Sequence, residues 1–82
     1  MALKNITGWN IRQIRIEKGM TIGELYSALP LSSPLSSEDI AQIELGARKV
    51  YDHELLAISQ ALKVPIASLF LTPHKKVTET PI

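Results

Sequence analysis

Apolar residues recur along this chain at intervals of three and four, in short runs separated by glycine, proline and serine. That period belongs to helices with one buried face, and no stretch alternates long enough to make a strand. The first run predicts a helix from about Thr7 or Gly8 to Lys18. Ile11 and Ile14 form its inner face and Trp9 covers one end, while Arg12, Arg15, Glu17 and Lys18 supply charge. Gly19 ends it, with Lys18 at the negative end of the helix dipole. A second helix follows at once. Thr21 is its N-cap and Glu24 the third residue of a capping box. Ile22, Leu25, Tyr26 and Leu29 are its expected apolar face, and Pro30 stops it.

Pro30-Leu31-Ser32-Ser33-Pro34 forbids regular structure and reads as a loop. The segment after it is the best-marked helix of the chain. Ser36 is its N-cap and Asp39 completes a second capping box. Ile40 and Ile43, with Leu35 before them, give the buried stripe, and Gly46 supplies the stop. The opposite face carries Ser37, Glu38, Ala41, Gln42 and Leu45. A polar connection with Arg48 and Lys49 leads to a fourth helix, from about Asp52 to Lys63. Its core stripe is Leu55, Ile58, Ser59 and Leu62, and Asp52 is either its cap or a first-turn residue. After Pro65 a short helix over about Ile66 to Phe70 closes the domain. Residues 72–82, with two prolines and Lys75-Lys76, are expected to form a flexible tail.

Eighty-two residues allow one domain, here 1–71, with an apolar content of 45% that suits a packed core. The net charge is +1, which excludes a strongly basic coat for non-specific nucleic-acid binding. There is no cysteine, so thiolate metal sites are excluded. His53 and His74 lack ligand-like spacing; no metal and no cofactor are expected. No apolar run reaches the roughly 20 residues of a membrane span. The start also lacks the basic and apolar pattern of a signal peptide, and a cytoplasmic location is expected. Catalysis finds no support either. A Ser59/His53 pair would need nearly opposed faces of one helix, and no glycine-rich phosphate loop is present.

The ordered set of motifs resembles the lambda-repressor-like (Xre-type) helix-turn-helix family. The matching pieces are Ile11-Arg12-Gln13-Ile14-Arg15, Gly19-Met20-Thr21, Glu24-Leu25, Ile40-Ala41-Gln42-Ile43-Glu44 with Gly46, and Leu55 through Leu69. Together they span about residues 8 to 71. The resemblance implies an all-α, compact five-helix domain whose third helix enters the major groove. It implies a sequence-specific transcriptional regulator of phage-repressor type that binds a double-stranded operator as a homodimer, with half-sites about one helical turn apart.

Carried over by position, Ser37, Glu38, Ala41 and Gln42 face bases. Gln42 is the best base reader, since glutamine can pair bidentately with adenine. Thr21 and Ile22 offer backbone N–H groups to a phosphate, and Arg48 and Lys49 approach the backbone. Arg15 and Glu44 match the family's structural ion pair between first and third helices. The chain departs from the family's usual pattern at Ile22, Tyr26 and Leu45, and through the longer turn Pro30–Pro34. It also departs in the acidic start of the third helix, where Glu38 and Asp39 stand and no basic residue occurs from Ser36 to Leu45. Two alternatives stay open. One is a protein-interaction module on the same fold that has lost operator binding. The other is the DNA-binding antitoxin of a toxin–antitoxin pair, whose tail holds the toxin.

Overall fold

Two capping boxes set the frame. In the computed structural model, which describes residues 3–71, α1 spans Gly8–Glu17, α2 Ile22–Ala28, α3 Ser37–Glu44 and α4 Asp52–Leu62. A 3-10 helix, Ile66–Phe70, follows. The fifth helix expected from the sequence is thus a 3-10 segment, too short after Pro65 to settle into an α-helix. The expected tail, with Lys75-Lys76 and His74, lies outside the described residues.

At the start of α2 the Thr21 hydroxyl accepts from the Glu24 N–H at 3.0 Å, and Glu24 accepts from the Thr21 N–H at 2.8 Å. Ser36 and Asp39 repeat this at α3, both bonds at 3.0 Å. Each box satisfies two donors that a helix start would leave open. α4 begins differently. Tyr51 holds the cap position, and Glu54 reaches back to accept from its N–H at 3.0 Å. Asp52 is a first-turn residue.

α1 is capped from outside. Its N-cap Thr7 makes no side-chain cap bond. Instead Asn5 Oδ1 accepts from the N–H groups of Thr7 at 3.1 Å and Gly8 at 2.7 Å. The Asn5 amide also donates to the carbonyls of Ile43 at 3.0 Å and Arg48 at 2.8 Å. One side chain thereby joins the start of α1 to the end of α3. The Lys4 N–H donates to the Gly46 carbonyl beside it, at 2.9 Å. The approach is close enough that a Cβ on Gly8 would overlap the Ile43 carbonyl oxygen. Gly46 turns the chain out of α3 at φ 75°, where a side chain would also strike Leu3.

α3 packs on α1 and α2, and α4 packs on α1, α2 and the 3-10 helix. Ile11, Leu25, Ile40, Ile43, Ile58, Leu62 and Leu69 are fully enclosed, with Leu29, Leu35 and Leu55 around them. Ile14 is only partly buried. Tyr26, expected on the inner face of α2, is 48% exposed. Leu25 and the C-cap Leu29 are the buried positions of this two-turn helix, with Ile22 partly buried beside them. Tyr26 falls one step round the helix from Leu25, outside the arc that α3 and α4 cover. Trp9 leaves half its surface to solvent. Ser59 is buried, and its hydroxyl donates to the Leu56 carbonyl at 2.8 Å.

Candidate nucleic-acid interface

α3 is held at both ends by arginines from elsewhere in the chain. At its last turn, Arg15 of α1 forms a two-bond pair with Glu44: Nε to Oε2 at 2.7 Å and Nη2 to Oε1 at 2.9 Å. The third edge of the guanidinium, Nη1, donates to the Met20 carbonyl at 2.7 Å. Arg15 therefore fixes α3 and the α1–α2 turn to one point. The Glu44 side chain is only 4% exposed, and its bonds hold the Arg15 guanidinium above its ordinary pKa. A planar fork meeting a carboxylate is the geometry that makes such a pair directional as well as strong.

Arg48, in the turn after α3, makes the second clamp. It donates through Nη1 and Nη2 to both oxygens of the buried Glu54 carboxylate, at 2.9 and 3.0 Å. Nη1 also donates to the Lys49 carbonyl at 2.8 Å. Its Nε lies 3.6 Å from Asp39 in the first turn of α3. Glu54 stays below the usual carboxylate range because of the Arg48 bonds, against burial and with help from the Tyr51 N–H. Asp39 is lowered as well, first by the Ser36 N–H and then by the Ser36 hydroxyl and Arg48, again against burial. Arg48 answers these acids with a raised pKa of its own, set first by Glu54.

Between the clamps, the outer face of α3 is open. Ser37, Glu38, Gln42 and Leu45 are exposed, and Ala41 is partly so. Four positions assigned to bases from the sequence thus share one surface. Asp39 beside them is turned toward Arg48. The positions assigned to phosphate divide. Lys49 is exposed and forms no ion pair among the described residues. The Arg48 guanidinium is partly exposed but bonded to Glu54 and close to Asp39, engagements that the sequence pattern did not anticipate. The Thr21 N–H is likewise engaged by Glu24, so the free first-turn amide of the pair is that of Ile22.

No family model and no curated protein sequence matches the chain. A solved structure does: that of the clp gene regulator ClgR from C. glutamicum, at 28% identity, with 84% of each chain covered and a TM-score of 0.70. That likeness and the all-helical packing support a helix-turn-helix regulator fold for this chain. No helix among the described residues is long and apolar enough to cross a membrane.

Proposed function

We propose that this protein is a sequence-specific DNA-binding transcriptional regulator of the lambda-repressor-like, phage-repressor type, with α3 in the major groove. The observation that carries the reading is the open face of α3, clamped at Glu44 by Arg15 and at Asp39 by Arg48. Such a helix presents side chains without moving, as base reading requires. The likeness to a gene regulator supports the same reading.

In it, Gln42 reads adenine and Glu38 accepts from a cytosine amino group, with Ser37 and Ala41 beside them. Lys49 and the Ile22 N–H meet phosphates on either side of the groove. The operator is read by a homodimer, because one short helix spans only a few base pairs. Ile66, Phe70 and Leu71 are exposed and offer an apolar surface for a second copy. Selection of bound duplexes from a random-sequence pool tests the reading. A defined motif, repeated in two halves about one helical turn apart, is expected; a pool that stays random would overturn it.

A second reading is favoured by the charge of the same face. Glu38 is exposed on α3, which has no basic residue of its own. Tyr51, Leu56 and Ile66 also stand out of the surface on and beside α4. An interaction module on this fold would use these features to bind protein in place of DNA. It predicts no salt-dependent binding to duplex of any sequence.

A further inference from the structure

The chain has three arginines. Arg15 and Arg48 are taken by Glu44 and by Glu54 with Asp39. Arg12 is exposed and has no carboxylate within ion-pair distance among the described residues. It lies one helical turn before Arg15 and so shares that side of α1. There it borders an open hollow of about 300 Å³ with Arg15, Ile22, Ala41, Glu44 and Leu45. This hollow joins the first turn of α2 to the outer face of α3.

The charges in the hollow do not cancel. Arg15 and Glu44 satisfy each other, since both Glu44 oxygens already accept from Arg15. What remains is the single positive charge of Arg12. Its neighbours Ile22, Ala41 and Leu45 are apolar, so little in the wall competes for it. An unpaired guanidinium at the rim of an apolar hollow suits an anion that can take two parallel N–H bonds.

We propose that Arg12 is a DNA-phosphate contact, gripping the backbone where it passes between α2 and the end of α3. This rests on the reading of α3 as a major-groove helix, and it supplies a cation that α3 itself lacks. It assigns α1 a part in binding as well as in the core. The contact is to backbone, so it adds affinity for every sequence and discriminates between none.

The test compares wild type, Arg12→Ala, Arg12→Gln, Arg12→Lys and Lys49→Ala on a random-sequence duplex and on the duplex selected from a pool, across a salt series. Arg12→Ala and Arg12→Gln should weaken both duplexes by the same factor and shrink the salt slope by about one unit. Arg12→Lys should keep most of the slope, because it keeps the charge. Melting curves should coincide with wild type, since the side chain is exposed and bears no ion pair. A wild-type slope in both neutral variants, with the Lys49→Ala slope reduced, would overturn the Arg12 contact and leave the DNA reading standing. Absence of salt-dependent binding by the wild type would overturn both.

Discussion

Arg48 and Glu54 face each other across the turn between α3 and α4, joined by two bonds of 2.9 and 3.0 Å, with the Glu54 side chain 5% exposed. A carboxylate so enclosed depends on its partner. Arg48→Ala should leave it buried with only the Tyr51 N–H as a partner, at a cost on the order of 3 kcal/mol, read by denaturant unfolding. The loss should depend on pH. Glu54 is held below its ordinary value by Arg48, so the folded chain keeps it ionised to lower pH than the unfolded chain does. Its contribution is complete above the unfolded value of about 4.3 and drains away as pH falls through the lower folded value. The stability gap between wild type and Arg48→Ala should therefore narrow from about pH 7 to about pH 3. A gap of constant size would show that Arg48 acts by packing alone.

Glu44→Ala should be comparably damaging. It strips Arg15 of two bonds and leaves a guanidinium that is 11% exposed with only the Met20 carbonyl. A loss of about 3 kcal/mol is expected. An unchanged melting temperature would mean that the α1–α3 joint does not rest on this pair.

Lys63 closes α4 in the left-handed region, at φ 60° and ψ 43°, the one non-glycine residue with positive φ among those described. Glycine adopts that conformation without the Cβ strain that costs lysine about 1–2 kcal/mol. Lys63→Gly should raise stability by up to about 1 kcal/mol, after its own entropic cost in the unfolded chain. Lower stability would show that the lysine stem packs usefully against α4.

On DNA the protein should sediment as a dimer. Ile66→Lys with Phe70→Lys should weaken binding to the two-half selected duplex while leaving the fold intact, because both side chains are exposed. A wild type that stays monomeric on that duplex would contradict the two-fold docking mode.

Helix boundaries were legible because their determinants are local. Thr21 with Glu24 and Ser36 with Asp39 lie three residues apart, and each box forms as its spacing requires. The inner stripe of α4 was legible for the same reason. What could not be read is long-range. Asn5 stands before the first predicted helix, outside every motif read from the sequence, yet bonds to carbonyls 38 and 43 residues away. Nothing in the pattern placed Arg48 against Glu54, so its charge looked free for phosphate. The resemblance gave Arg15 its partner Glu44, but nothing in the pattern showed that Arg12, one turn away on α1, is left at the rim of the hollow. The resemblance brought Ser37, Glu38, Ala41 and Gln42 together, and the geometry of α3 puts them on one surface.

Whether that surface reads base sequence is decided most directly by measuring Gln42→Ala and Glu38→Gln against wild type, on the selected duplex and on random duplex, at two salt concentrations. Gln42→Ala should weaken the selected duplex by about 1–3 kcal/mol and leave random duplex nearly unchanged. Glu38→Gln should alter preference at one base position, with discrimination changing by a similar amount. Uniform strengthening of every sequence by Glu38→Gln would show that the carboxylate only repels phosphate. If neither variant changes discrimination between the two duplexes at either salt concentration, α3 is not a DNA-reading helix.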